Sequence, residues 1–420
     1  GLTPSDIVPA RLTQTQIDEL AEQYEVADVL PLTPLQQGLL FHTETAQGTE
    51  ELYSVQLDIE LVGQLDTERL RNAVQKVISR RPNVVAHFSE QFGEPVQVIP
   101  ANPELAWHYV DLDGEADVEA QVQALALAER VAVCDLAHQP PFRAALARTA
   151  PEEYRLLLTN HHIVLDGWSK PILLQEIFAS YFGARLPAPV PYRRFITWLE
   201  GQDNEAAEAA WRKVFTGFET PTLVGPPGRM ALGKRGVESF LVSAETTAAL
   251  TELARSCHTT VSTVLQGAWA QILMWLTGQH DVAFGTAVSG RPVDVPGADE
   301  MVGLLINTVP VRASITPSTT VADLLGQIQG NHNDTLEHDH LALNHSHHAT
   351  GHEQLFDTMF VYENYPLDTT AWSGVQGLAI TGYTNREYNH YPLSVQAVPG
   401  NELELRVEFD VEVFTTARIE

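Results

Sequence analysis

The chain has 420 residues, with 54 acidic against 25 basic side chains and a formal charge of −29. Hydrophobic residues make up 44% and charged residues 19%, enough to bury a real core and too apolar for a disordered segment. The acidic excess speaks against nucleic acid and an anionic membrane as partners, since both demand clustered Lys and Arg.

At about 150 residues per domain the length fits two to three domains or one large two-lobed unit. Residues 1–28 read as a linker with Pro4, Pro9 and a short polar helix near Gln16 to Gln23. The N-terminus has neither the basic nor the apolar region of a signal peptide. From Tyr53 to Leu61, apolar and polar residues alternate, which predicts a half-buried strand. Leu70, Ala73, Val74, Val77 and Ile78 share one helical face, with Asp66 as N-cap and Pro82 as stop. Tyr154 to Thr159 is too apolar for an edge strand, and Lys170 to Phe182 has helical spacing. Pro187, Pro189 and Pro191 mark 183–191 as the connection between two lobes. Thr246 to Ser256 and Thr260 to Leu276 predict helices, and Leu403 to Phe409 a strand. The run Val261 to Leu276 carries Ser262, Thr263, Gln266 and Gln271, so it reads as a buried helix rather than a membrane span. Trp198, Trp211, Trp269 and Trp275 are expected in the core. Cys134 and Cys257 provide no disulfide framework and no CxxC zinc pair, which fits a reducing, cytoplasmic setting.

The segment Asn160-His161-His162-Ile163-Val164-Leu165-Asp166-Gly167-Trp168-Ser169 joins the apolar strand to the helix at Lys170. Such a junction presents a titratable base on a rigid footing, with an acid four residues beyond it. As bare pattern it reads more readily as a capping or core histidine pair, or a metal site, than as a catalytic loop.

His161-His162-x-x-x-Asp166-Gly167 resembles the signature of nonribosomal peptide synthetase condensation domains. Further motifs follow in that family's order: Leu30 to His42, Arg81 to Phe88 (with Val85 where Arg is usual), Tyr192 to Leu199, Ser289 to Pro292, Val302 to Pro310, Phe360 to Pro366 and His390 to Leu393. The resemblance implies an α/β (α+β) fold of two chloramphenicol acetyltransferase-like lobes, forming a V-shaped pseudo-dimer around a central tunnel. The lobes would be 29–182, carrying the double-His loop, and 192–420.

It also implies amide formation between an acyl or peptidyl thioester donor and an aminoacyl thioester acceptor. Both ride on phosphopantetheine arms of upstream and downstream peptidyl carrier proteins, beside an adenylation domain, with no cofactor bound by the domain itself. His162 would be the reactive histidine, accepting a proton from the amine or holding it by a hydrogen bond, with His161 beside it. The Gly167 N–H is the candidate oxyanion donor. Asp166 would pair with Arg291 and organise the loop. Trp168, Ser169 and Asn307 would face the substrate, although a core Asn satisfied by backbone fits Asn307 equally.

Two rival readings stay open, an epimerisation domain of the same fold and a catalytically silent carrier platform; within the condensation family, Pro31 to His42 and Thr3-Pro4-Ser5-Asp6 resemble the D-donor subtype. Heterocyclisation is disfavoured, since that subfamily has Asp at the position of His161. The end soon after Phe414 suggests a piece of a larger synthetase. His332, His338, His340, His345, His347, His348 and His352 crowd one stretch that reads as a solvated loop more readily than a metal site. Gly228 to Lys234 imitates a phosphate loop but has Arg235 where Ser or Thr must stand.

Overall fold

The computed structural model describes residues 1–45, 51, 53–228, 234–364 and 377–420. The chain divides into two compact units. The first comprises Gly1–Gly201, Arg291–Leu305 and residues 377–389; the second comprises Gln202–Gly290, residues 306–364 and His390–Glu420.

Strands in the first part of the chain are β1 (Val26–Pro31), β2 (Ser54–Gly63), β3 (His87–Ser89), β4 (Val96–Pro100), β5 (Ala106–Asp111), β6 (Phe142–Ala150) and β7 (Glu153–His161). Then come β8 (Arg235–Val242), β9 (Asp281–Val288), β10 (Asn307–Ser314), β11 (Thr358–Tyr362), β12 (Leu378–Glu387), β13 (Leu393–Val398) and β14 (Leu403–Asp410). Helices α1 (Gln14–Gln23), α2 (Pro34–Thr45), α3 (Thr67–Arg80), α4 (Val118–Cys134), α5 (Ser169–Tyr181) and α6 (Arg193–Glu200) belong to the first unit. Helices α7 (Asn204–Val214), α8 (Ala244–Ser256), α9 (Val261–Thr277), α10 (Val321–Thr335), α11 (Leu343–Ala349) and α12 (Thr416–Ile419) belong to the second.

The first unit holds an open five-stranded sheet in the order β12-β2-β7-β6-β5. The apolar run of β7 is explained by burial on both faces. Leu156 and Leu158 join the core with Leu70, Val74, Leu173 and Ile177 of α3 and α5, whereas Leu157 packs with Ala126 of α4 and Ala145. β2 departs from the half-solvated strand its alternation predicts. Its Gln56 is buried and donates to the Ala126 carbonyl and Thr159 Oγ1, so α4 covers the face expected to meet water. Asp66 caps α3 as expected, accepting from the Arg69 N–H at 3.0 Å.

A three-stranded sheet β1-β4-β3 completes this unit. Residues 1–28, read from sequence as a linker, are built onto it. Thr13 and Gln16 form a reciprocal capping box, and Ile7, Leu12, Ile17 and Leu20 pack with Val29, Val96 and Val98. Prolines, Thr and Gln masked this apolar set. The expected break at 183–191 contains no regular element, but Arg80 donates to the Pro187 carbonyl and Arg81 to that of Val190. Phe195 and Ile196 of α6 then pack with Leu30 and Met301, which carries the first unit on to Gly201.

The second unit holds an open six-stranded sheet, β10-β9-β11-β13-β14-β8, in which β11 runs parallel to both neighbours. Leu273 of α9 packs there with Phe284, Phe360 and Phe409. Trp211 and Trp269 are buried and Trp198 is half-buried, but Trp275, expected in the core, is 82% exposed. α9 is apolar nearly all round, so its pattern could not reveal which face turns outward. No helix among the described residues is long and apolar enough to cross a membrane.

Candidate active site

β7 ends at His161, a single tight turn spans His162–Val164, and α5 begins at Ser169. Asp166, midway, has a wholly buried side chain and receives the Arg291 guanidinium on both oxygens, at 3.2 and 3.1 Å. Its carboxylate also accepts from the backbone N–H of Ser169 and of Leu305, both at 2.9 Å. Ser169, placed by resemblance among the substrate-facing residues, is 0% exposed. Its hydroxyl lies 2.8 Å from Asp166 Oδ1 and 2.9 Å from the Gly303 carbonyl, and it accepts from the Gly303 N–H. Arg291 and Gly303 both belong to the first unit, so this closed network lies within one unit. Burying these charges is costly unless they are paired, and the two guanidinium contacts to the carboxylate supply that pairing.

Motifs far apart in sequence converge on the same loop. Gln36 is buried, exchanges capping hydrogen bonds with Thr33 at the start of α2, and donates to the Ile163 carbonyl at 2.9 Å. Asn83 donates to the Val302 carbonyl and the Tyr192 hydroxyl to that of Leu304, fixing both sides of Gly303. A Cβ on Gly303 would lie 2.8 Å from the Tyr192 ring and 3.1 Å from Asn83 Nδ2, nearer than a methyl group can pack. Gly303→Ala should therefore cost about 1–3 kcal/mol through overpacking, read as a shift in the denaturation midpoint.

His161 is fully buried. Its Nδ1 accepts from the Ile163 N–H at 2.9 Å, so in the neutral ring Nε2 carries the proton and donates to Thr43 Oγ1, also at 2.9 Å. Thr43 passes its own proton to the Leu39 carbonyl. Burial, helped by His162, pushes the His161 pKa down to about 3. The folded protein thus binds one proton fewer than the unfolded chain between that value and the ordinary 6.5. Stability from this group is complete above about pH 6.5 and falls as the pH drops toward 3. Thermal unfolding of wild type should weaken more steeply over this window than that of His161→Asn.

His162 differs in kind. Its side chain remains 20% exposed. Its backbone N–H donates to the Tyr53 carbonyl at 2.8 Å, while ring Nε2 lies 3.3 Å from the Tyr388 carbonyl. Nδ1 lies 3.8 Å from Glu387 Oε1. Burial lowers the His162 pKa, Glu387 opposes the change, and Lys170 adds to it. Burial would raise the Glu387 pKa, but Lys170, 2.8 Å away, and His162 override it and hold the carboxyl down at about 2. Neither Glu387 nor Lys170 stood out in the sequence. Glu387 comes from 225 positions beyond His162, and β12 brings it opposite Val55 of β2 by strand pairing alone (387 − 162 = 225).

Gly167 and Trp168 are half-buried between Asp166 and α5. Asn307 lies in the second unit, where its amide donates to the carbonyls of Asp339 and Leu341, each at 2.8 Å. Several of the crowded histidines go to separate partners, and the His338 and His340 rings face each other at a tilt. His345 meets Glu208, while His347 is buried and accepts from the Leu355 N–H; no group of three or more His, Cys, Asp or Glu among the described residues is placed to hold a metal ion. The phosphate-loop imitation between Gly228 and Lys234, and the end of the Phe360 to Pro366 motif, lie outside the described residues.

A family model described as "Condensation domain" matches residues 26–420. The chain is 35% identical to chondramide synthase of Chondromyces crocatus over 97% of its own length and 12% of that protein's. It is 34% identical to a linear gramicidin synthase of Brevibacillus parabrevis, over 100% of its length and 9% of the relative's. The chain therefore spans about a tenth of these proteins. Among solved structures, the starter condensation domain of rhizomide synthetase matches with a TM-score of 0.79 at 19% identity, over 93% of this chain and 91% of that one. The first condensation domain of the calcium-dependent antibiotic synthetase matches with a TM-score of 0.74 at 19% identity, over 94% and 93%. These likenesses establish the mixed α/β, chloramphenicol acetyltransferase-like fold with open sheets. With its model matching nearly the whole length, the chain belongs to the condensation-domain family.

Proposed function

We propose that this chain joins an acyl or peptidyl thioester to the amine of an aminoacyl thioester, both tethered to carrier proteins by phosphopantetheine. The observation that carries the reading is His162 itself, a partly accessible imidazole at the end of an interior strand, on a loop fixed by Asp166 and Arg291. In the reaction the amine nitrogen bonds to the carbonyl carbon, the C–S bond breaks, and the proton lost by nitrogen ends on the released thiol. A free α-amine has a pKa of about 8, so much of it is protonated at neutral pH and cannot attack. A neutral His162 takes that proton or holds the amine by a hydrogen bond.

A thioester is already activated, so alignment and exclusion of water supply much of the acceleration. In this reading the Gly167 N–H receives the oxyanion and Trp168 borders the substrate. Asp166, Arg291, Ser169 and His161 hold the loop without touching the reacting atoms. Asn307, in the second unit, spends its amide N–H groups on the Asp339 and Leu341 carbonyls, which favours the backbone-satisfied reading of this residue. The donor and acceptor carriers bind as separate partners, with an adenylation domain loading the acceptor.

The motif from Pro31 to His42 supports a D-configured donor terminus. Carrier proteins loaded chemically with D-ended or L-ended donors, mixed with an aminoacyl acceptor carrier, test both layers. Product with the D-ended donor is expected to form at least tenfold faster. Equal rates would remove the subtype, and no product from either donor would remove the activity.

A further inference from the structure

The strand that closes the first sheet sets an acid and a base beside His162 that the loop itself does not contain. β12 pairs with β2 so that Glu387 stands opposite Val55, which in turn faces Asn160 of β7, two residues before His162. Lys170, the second residue of α5, reaches the same place. Its ammonium lies 2.8 Å from Glu387 Oε2 and 3.1 Å from Asn385 Oδ1. The other carboxylate oxygen lies 3.8 Å from His162 Nδ1, and the Tyr388 carbonyl lies 3.3 Å from Nε2. Both ring nitrogens therefore face oxygen atoms that only accept hydrogen bonds.

A neutral imidazole with its proton on Nε2 donates to the Tyr388 carbonyl; an imidazolium does the same and adds a charge–charge attraction to Glu387 across 3.8 Å, an ion-pair rather than a hydrogen-bond distance. The pocket is thus arranged for the form of His162 that exists after proton uptake, while burial pushes the pKa of the ring below its ordinary value. From this geometry we infer that Glu387 is a positioning residue, the standing counter-charge for the His162 imidazolium, and that Lys170 sets how strongly it acts. The inference deepens the proposed function and rests on it for the step in which the ring takes the amine's proton.

On β12, Arg386 is engaged with Glu51 at 3.3 Å. On β7, His161 is neutral and bonded to Thr43 and Ile163. In the loop, Asp166 and Arg291 pair with each other. Beside β2, the Tyr53 hydroxyl is pushed up to about 12 by burial and stays neutral. Glu387 and Lys170 are the charged groups that act on the ring, with opposite signs. Glu387 is itself only a weak base, because the neighbouring Lys170 ammonium and the His162 ring hold its pKa down at about 2.

Two substitutions separate this role from a merely structural one, because they push the ring in opposite directions. Glu387→Gln keeps the shape and removes the negative charge; Lys170→Met removes the positive one. The titration of His162 is followed by NMR on protein carrying 15N-labelled histidine, with His162→Ala used to assign the signal. Relative to wild type, the His162 pKa should fall by about one pH unit in Glu387→Gln and rise by about one in Lys170→Met. The acid limb of the condensation rate against pH should move in the same two directions. In Glu387→Gln, kcat should fall about tenfold with KM little changed, a tenfold factor corresponding to one pKa unit.

If neither variant moves the titration, or both move it the same way, the inference is wrong. If the ring titrates as stated but the wild-type chain forms no amide between loaded carriers, the proposed function fails and the counter-charge assignment stands. Should Glu387→Gln fail to fold, the upward shift in Lys170→Met decides alone: its absence overturns the inference.

Discussion

His162→Ala should lower the rate of amide formation between two loaded carriers by about 10²–10⁴-fold, the usual contribution of a positioned acid–base group. Stability should hardly change. The ring gives up one long contact, Nε2 to the Tyr388 carbonyl at 3.3 Å, and a partly exposed position that water can fill. A net hydrogen bond is worth about 1 kcal/mol, well below the 5–15 kcal/mol that holds a domain together. The measurement is a single-turnover assay with carriers in excess of KM, paired with a melting curve. A wild-type rate in a folded variant would take His162 out of the chemistry. The neighbouring substitution behaves oppositely: His161→Ala deletes a fully buried ring bonded on both nitrogens, so its effect should appear first in the melting curve.

Asp166→Ala should cost about 3–5 kcal/mol of stability, because it leaves the Arg291 guanidinium buried and without its counter-charge. The loss extends beyond the ion pair. The same carboxylate receives the backbone N–H groups of Ser169 and Leu305, so one substitution loosens the start of α5 and the segment that meets it. Activity should fall with stability, since His162 rides on this loop. Replacing both charges together, as in Asp166→Leu with Arg291→Met, should restore part of the lost stability, because an apolar pair of similar volume avoids the stranded charge. A double-mutant cycle in denaturant reads the coupling directly. A fully stable but inactive Asp166→Ala would instead place this carboxylate among the reacting groups.

How far the sequence could be read depended on whether a residue's partner was near in sequence or reached it only through the fold. Local patterns carried well. The helical stripe of α3 with its Asp66 cap, and the strands β2 and β14, lie where periodicity puts them, within a residue or two. The double-His loop was visible because strand, turn and helix follow one another without a gap. Periodicity said less where an element is covered on two sides, as at Gln56 beneath α4, or apolar all round, as at Trp275.

Composition misread the N-terminus, where prolines and glutamines hid the apolar set Ile7, Leu12, Ile17 and Leu20. The site shows the same division. Gln36, Asn83 and Tyr192 lie in motifs whose order was informative, but only the fold reveals that they hold Ile163, Val302 and Leu304. Nothing near Glu387 in sequence announces a group beside His162. A strand pairing at the far edge of the sheet brings it there.

The most direct test of the account mixes the chain with a donor-loaded and an aminoacyl-loaded carrier in deuterated water and weighs both carriers intact by mass spectrometry. The account predicts that the donor group moves onto the acceptor carrier, that this requires His162, and that the donor carrier kept alone with the chain gains no deuterium at its α-carbon. Deuterium incorporation on a single carrier, with no transfer when the second is added, would contradict it and assign the double-His loop to proton exchange instead of amide formation.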